Sequence, residues 1–549
     1  MFEQQQPFAN FRRVMASLLT MTIALGPSVT PAFASSAKPA TQQVARATAT
    51  PIQHLVVIFN ENISFDHYFG TYPNALNPPG EPKFKAAADT PTVNGLSNAL
   101  LNSNPNLNPA NGTGAANPFR LDRSQAFTND MDHDYMPEQQ AFDGGLMDLF
   151  PLNTGTAGPP PSGSGPVNTN GLVMGYYDGN TVTALWNYAQ YFGLSDNSYG
   201  TTFGPSTVGV LNLIAGQTNG VAAIENGTGD EVSDGNGGLT VIGDPNPLGD
   251  VCTSSSSNQV TMGSNTIGDL LNNAGVTWGV FLGGFNLSVV NANGTTGCKR
   301  STTSAVTGVT ETDYIPHHSM FAYWNSVSNL THVRPASIAE IGNAGPANHN
   351  YDVQDFYTTA AAGNLPAVSF LKAPGYQDAH AGYSDPLDEQ AFVVNTINFL
   401  ETLPTWSSTA VVIAYDDSDG WYDHQIGPIV NTSTGPDDAL TAPGSCGTAA
   451  TALPGVNPAT THALGRCGYG PRLPLLVISP WARQNFVDHT VTDQSSIIHF
   501  IEDNWLGGQR IGQGSFDGIA SSLNQFFNFN KIRSNGILFL NPTTGEKQP

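Results

Sequence analysis

Ten consecutive residues, Tyr415, Asp416, Asp417, Ser418, Asp419, Gly420, Trp421, Tyr422, Asp423 and His424, place four carboxylates and an imidazole directly behind an apolar run, Ala410 to Ala414. Carboxylate oxygens are hard ligands that suit a divalent cation, and open α/β sheets hold their ligands at the ends of strands. A second run repeats the layout near the front of the chain. Ile52 to Phe59 is largely apolar and leads straight into Asn60, Glu61 and Asn62, then Ser64, Phe65, Asp66 and His67. Two buried strands that both end in acids can aim them at one ion. Either run alone reads equally as a polar turn closing a strand, since Asp, Asn, Ser and Gly are the usual turn residues. The pair points to a metal site.

One hydroxyl stands out as a candidate reactive group. Phe203, Gly204, Pro205, Ser206, Thr207, Val208 and Gly209 precede the mostly apolar Val210 to Ala215. Ser206 therefore falls at the start of a helix, where backbone amides favour an anion. It misses the G-x-S-x-G elbow because Val208 stands where a glycine is required, and a plain N-cap is the alternative reading. Histidines supply the next resource. His133 lies in an Asp-rich stretch from Asp130 to Asp134, His317 and His318 follow Pro316, and His380 sits between Asp378 and Gly382. Each setting is turn-like and able to reach a cleft from a loop. Beside two acidic strand ends, they compose a candidate cluster for phosphate binding or proton transfer. There is no Walker loop, no H-E-x-x-H helix and no G-x-G-x-x-G after a strand, so nucleotide-driven, zincin and nicotinamide chemistry drop out.

The elements that must carry these groups alternate. Thr266 to Asn273 predicts a helix stopped by Gly275, and Val276 to Leu282 a strand. Leu365 to Leu371 is a further strand. Pro386 to Leu403 predicts a helix with Phe392, Val393, Thr396, Ile397, Phe399 and Leu400 toward one side, leading into the strand before Asp416. Leu473 to Ser479 is another strand, and Ile497, Ile501 and Trp505 recur at helical spacing behind Thr492 and Asp493 as cap candidates. This order predicts an α/β fold, a mostly parallel central sheet flanked by helices. Four polar stretches, Asn94 to Asn117, Pro151 to Asn170, Asn226 to Ser257 and Asn431 to Thr460, read as long loop insertions on the surface.

Bulk properties narrow the partners. With 58 Gly, 39 Pro and only 11% charged residues the chain is loop-rich, and 39% hydrophobic residues suffice for a large core. A formal charge of −24 offers nothing to a nucleic-acid backbone, so an anionic substrate needs a local positive centre such as a bound metal. Arg12 and Arg13, the uncharged Val14 to Leu25, and Ala32, Phe33 and Ala34 predict an export signal at residues 1–34, with paired arginines that hint at the twin-arginine route. No later segment is apolar enough for a transmembrane helix. Cys252, Cys298, Cys446 and Cys467 suit two disulfides in an oxidising compartment; proximity favours 252 with 298 and 446 with 467, although three connectivities are possible.

The residues also carry a resemblance. Seven ordered blocks are similar to the bacterial phosphoesterase family of non-haemolytic phospholipases C and secreted acid phosphatases, part of the alkaline-phosphatase-like superfamily. They are His54 to Gly70; Asp132 and His133 with Gly144, Gly145, Met147 and Asp148; Met174 to Tyr177 leading to Gly204, Pro205 and Ser206; His318 with Phe321, Tyr323 and Trp324; His380 with Asp385 to Gln390; Tyr415 to His424; and Gly470 to Arg483. The resemblance implies a single phosphoesterase domain over 51–545 after a 35–50 linker. It implies a divalent metal ion, of a kind left open, held by Glu61, Asn62, Asp416, Asp417 and Ser206. Ser206 would be the nucleophile, with His133, His318 and His380 handling phosphate oxygens or protons. Ile63 replaces an Arg frequent in the family, and Ser206 and Asp417 stand where phospholipase members carry Thr and Glu, which brings the acid-phosphatase branch closer. The expected function is thus an exported, metal-dependent phosphoric-ester hydrolase, an acid phosphatase acting on small phosphomonoesters. Alternatives are a phospholipase C cleaving phosphatidylcholine-type lipids and a silent surface-binding protein on the same fold. Sulfatase chemistry would need a C/S-x-P-x-R turn, which the Ser206 segment lacks.

Overall fold

Continuous runs of Val, Ile, Leu and Phe become strands buried on both faces. In β1 (His54–Asn60), Leu55, Val57 and Phe59 join one apolar core while Val56 and Ile58 join another on the opposite side. In β6 (Thr409–Tyr415), Ala410, Val412 and Ala414 divide from Val411, Ile413 and Tyr415 in the same way. A strand covered on both faces has no need of polar alternation, which is why these runs carry none. The computed structural model describes residues 48–155, 169–227, 229–449, 452–456, 461–534 and 536–548, so the expected export signal lies outside the described residues.

The remaining strands of the main sheet are β2 (Gly193–Ser195), β3 (Trp278–Leu282), β4 (Asn350–Asp352), β5 (Val368–Lys372), β7 (Leu475–Ile478) and β8 (Phe486–Asp488). Their spatial order is β4-β3-β5-β1-β6-β7-β2-β8. The pairs from β4 through β6 are all parallel; β7 alone runs against both of its neighbours. The expected mostly parallel α/β sheet is what forms. Asn60 pairs with Tyr415, and that register brings the residues that follow, Glu61 and Asp416, to the same edge of the sheet.

Helices cover both faces. α1 (Phe65–Phe69) is capped by Ser64, whose side chain accepts from His67 N. α2 (Ser206–Ala215) is buried along its whole length. α3 (Ile267–Ala274) begins in a Thr266/Asp269 capping box and stops at Gly275, as the sequence predicts. α4 (Pro386–Glu401) starts at the Asp385 cap and ends two residues earlier than expected. α5 (Ser495–Trp505) buries Ile497, Ile501 and Trp505, but its cap position is Gln494. Thr492 and Asp493 instead form a short strand, from which Asp493 accepts the N–H of Ser495 at 3.1 Å. Among the described residues, no helix is long and apolar enough to cross a membrane.

Both expected near-neighbour disulfides, Cys252–Cys298 and Cys446–Cys467, are present. The polar stretches are less superficial than their composition predicts. Asn106, Thr240, Asn431 and Ser433 have no exposed surface, because mutual hydrogen bonds let these segments bury amides and hydroxyls against the fold.

Candidate active site

Three adjacent strands deliver the centre of the site at one edge of the sheet. β1 hands on Glu61 and Asn62, β6 hands on Asp416 and Asp417, and β5 ends in Lys372. Glu61 is fully buried, and the Lys372 ammonium pairs with its Oε1 while lying 3.7 Å from Asp416 Oδ2. Asn62 adopts a left-handed backbone, φ 61°, which turns its N–H onto Asp416 Oδ1 at 2.9 Å. Its side-chain amide donates to Asp419 Oδ1 at 3.0 Å.

Ser206 opens α2 from the other side. Its Oγ lies 3.0 Å from Glu61 Oε2 and 3.2 Å from Asp417 Oδ2, so the hydroxyl is held between two carboxylates and does not cap its helix. The plain N-cap alternative is therefore set aside; the cap position belongs to Pro205. Gly204 N donates to Glu138 Oε2 at 3.2 Å, and Ser418 Oγ donates to Glu138 Oε1 at 2.6 Å, so one buried acid ties the loop before Ser206 to the loop after β6. Burial pushes the Glu138 carboxyl up to about 8. The helix reaches the sheet closely because position 209 is glycine. A Cβ there would come within 2.7 Å of Asp416 Cα.

The histidines converge. His318 is buried with Nε2 3.3 Å from Glu61 Oε2 and Nδ1 3.6 Å from Asp378 Oδ2, and its Nε2 makes no hydrogen bond. Burial, with His317 and His380 nearby, holds its pKa well below the ordinary range. His133 donates from Nδ1 to Met131 O at 2.9 Å, and its ring lies 6.2 Å from that of His380, which stacks on Tyr383. Burial works against a charge on His133, yet Asp417, Asp419, Asp130 and Asp244 outweigh it and hold its pKa well above the ordinary value. Burial and the neighbouring Asp416 push the Asp417 carboxyl well up, against the pull of His133.

All eight residues expected at the site thus gather in one region. Sequence reasoning passed over Lys372, Glu138, Asp378 and Asp419 as site residues, and did not carry His317 beyond its motif. Lys372 had a signal, because it closes an apolar run in the same manner as Glu61 and Asp416.

The donor set fits a divalent cation. Glu61, Asp416 and Asp417 are buried together, and Asp416 Oδ2, Asn62 Oδ1 and His318 Nε2 have no hydrogen-bond partner. Orphaned buried acceptors beside carboxylates are the pattern an ion would complete.

An α/β protein that holds a hydroxyl between buried acids at the edge of a largely parallel sheet is the class that fold and site define. The chain belongs to the Phosphoesterase family, whose model matches residues 52–506. It is similar to the non-hemolytic phospholipase C of Burkholderia pseudomallei, 26% identical over 465 residues, a match that covers 83% of this chain and 55% of that protein. Phospholipase C B of Mycobacterium tuberculosis is 25% identical over 468 residues, covering 82% of this chain and 73% of that protein. The chain therefore spans 55% of the length of the first relative. Among solved structures, it is similar to a protein in the alkaline phosphatase superfamily from Vibrio parahaemolyticus, 12% identical with a TM-score of 0.27, covering 67% of this chain and 75% of that one.

Proposed function

We propose that this protein is a metal-dependent phosphoric-ester hydrolase with Ser206 as nucleophile. The observation that carries the reading is the Ser206 hydroxyl held between Glu61 and Asp417 at the start of a buried helix. Glu61, Asn62, Asp416 and Asp417 would hold the cation, which when bound lowers the pKa of a nearby hydroxyl and neutralises charge on phosphoryl oxygens. Ser206 Oγ attacks phosphorus, the new O–P bond forms, and the serine proton passes to a facing carboxylate. The ester P–O bond breaks, and its oxygen takes a proton from His133, the imidazole that the surrounding carboxylates keep charged, while His318 and His380 handle phosphate oxygens. Water then cleaves the phosphoserine and frees phosphate.

Within that class we place phosphomonoesters first. Ser206 and Asp417 are the residues that set the chain toward the phosphatase branch, and a charge of −24 repels anionic membrane surfaces. Histidines that must be protonated to hold phosphate favour an acidic optimum. The two disulfides support action in an oxidising compartment, outside the cytosol. A second reading, phospholipase C, is favoured by the names of both relatives. Rates on p-nitrophenyl phosphate and dispersed phosphatidylcholine across pH, with and without chelator, separate the two. A higher kcat/KM on the lipid makes this a phospholipase, and full activity after chelation removes the metal from the reading.

A further inference from the structure

Directly after Ser206 comes a backbone amide that is already taken. Thr207 N, in the first turn of α2, donates to Asp244 Oδ1 at 2.7 Å. Asp244 arrives from a different part of the chain, shortly after the short Leu239–Val241 strand. Its neighbours fix it there. Ile242 N and Gly243 N donate to Asp230 O at 2.8 and 3.1 Å, and Pro245 O lies 2.9 Å from the Tyr323 hydroxyl and 3.4 Å from Thr207 Oγ1. The Tyr323 hydroxyl also lies 3.1 Å from His317 O, so the loop that brings the acid is tied to the histidines of the site. The half-buried Asp244 carboxylate faces His133 and His317 and favours a proton on each. Asp134, Asp230 and Tyr323 are further titratable groups beside it.

A helix cap alone does not call for a charge. Asparagine and serine cap as well as aspartate does. The cap position of α2 itself is Pro205, which gives no side-chain hydrogen bond, so Asp244 serves the amide from outside. A phosphoryl group in line with Ser206 Oγ would set its oxygens at the start of α2, where backbone amides favour an anion. Asp244 has already placed a negative charge there. Like charges that close repel, and a dianion is repelled twice as strongly as a monoanion.

Resting on the reading of a Ser206 phosphoric-ester hydrolase, we propose that Asp244 is a specificity-determining residue that makes the site select its phosphate ester as a monoanion. The ester is then either a monoester that keeps one proton or a diester. A phosphomonoester gives up that proton at about pH 6, and a diester has no second proton to lose. The substrate thus sets an alkaline limit of its own, separate from that of the histidines.

The test compares p-nitrophenyl phosphate with bis-p-nitrophenyl phosphate across pH, on the full chain with the divalent ion that supports most turnover. In wild type, kcat/KM on the monoester should fall about tenfold per pH unit above about 6, relative to the diester. Asp244→Asn keeps an acceptor for Thr207 N and removes the charge. Near pH 7.5, about 1.5 units above the monoester's second pKa, it should raise the monoester-to-diester ratio of kcat/KM at least about tenfold. The Ki of inorganic phosphate should tighten by a similar factor, whichever ester is turned over. Near-ultraviolet circular dichroism checks the fold, and if Asp244→Asn does not fold the wild-type profiles decide. Profiles that fall in parallel on both esters put the proton on the protein and overturn the proposal. A folded Asp244→Asn with the wild-type ratio and Ki does the same, and leaves Asp244 a helix cap only. No turnover of either ester by folded, metal-supplied wild type overturns the hydrolase reading itself.

Discussion

The loop that follows β6 feeds two buried clusters of opposite character. Its first part gives Asp416, Asp417 and Asp419 to the Ser206 centre. Its last part gives Asp423 and His424 to a cluster with Asp66 and Arg472. There, Arg472 has no exposed surface and leaves no donor idle. Nε lies 3.1 Å from both Asp423 oxygens, one terminal nitrogen binds Asp66 at 3.0 Å, and the other binds the carbonyls of Asn94 and Asp196 at 2.7 and 3.0 Å. The guanidinium also lies over the Phe65 ring. At the Ser206 centre, Lys372 is, among the described residues, the one fixed cation facing Glu61 and Asp416, and several acceptors stay unpaired. A buried cluster with every polar atom satisfied holds structure together; one with orphans awaits a ligand.

Breaking the satisfied cluster should have the largest effect on stability. Arg472→Met strands two buried carboxylates, and the expected loss is about 3–5 kcal/mol. A urea midpoint close to wild type would show that this cluster is not the pin.

A third buried acid, Glu389, accepts from Asn60 Nδ2 at 2.7 Å and from the hydroxyls of Tyr68 and Tyr415. Burial pushes its carboxyl up to about 7, from an ordinary 4.5. The unfolded chain gives up this proton near 4.5 while the folded chain keeps it to about 7. Its contribution is therefore complete below the first value and is lost as pH rises to the second, a swing of roughly 3 kcal/mol. Glu389→Gln should flatten the decline of Tm over that window. An unchanged slope would assign the pH dependence elsewhere.

The unsatisfied centre should behave in the opposite way. Asp416→Asn removes a repelling charge, so without added metal its Tm should equal or exceed that of wild type. Wild type should gain about 2.7 kcal/mol at an ion concentration near a hundred times Kd, and the variant should lose that gain. Equal metal-induced shifts in both proteins would take Asp416 out of the ligand set. Smallest in stability is Ser206→Ala, expected within about 1 kcal/mol of wild type because only a hydroxyl is lost. Its turnover should nonetheless fall by at least about a thousandfold, and acid-quenched labelling should find no phosphoserine. Normal rates would return Ser206 to a structural role.

Much of this was legible in the chain. β1 and β6 announce themselves as uninterrupted apolar runs, and the acids behind them can only emerge at the end of the sheet. Ser206 was legible as a helix start, though not its two carboxylate partners, which come from segments 145 and 211 residues away. Lys372 was missed because a lysine after a strand reads as the return to solvent; only the pairing of β5 with β1 reveals that it meets Glu61. Asp244 was hidden in a stretch whose polar composition suggested surface. Its Oδ1 instead accepts the N–H of Thr207 at 2.7 Å, inside the first turn of α2. Polarity predicts exposure only when the partners of polar groups are not themselves within the fold.

The glycine at position 209 carries a further consequence. The spacing between the serine and the acids depends on one methyl group that is missing, at a residue with no part in any reaction. Any side chain there wedges the helix off the strand and widens the gap across which Ser206 must reach. Changes in the surrounding loops leave this spacing alone, while a side chain at 209 alters it directly. For an engineer the position is a lever, remote from substrate, that resets the distance between nucleophile and metal ligands by fractions of an ångström.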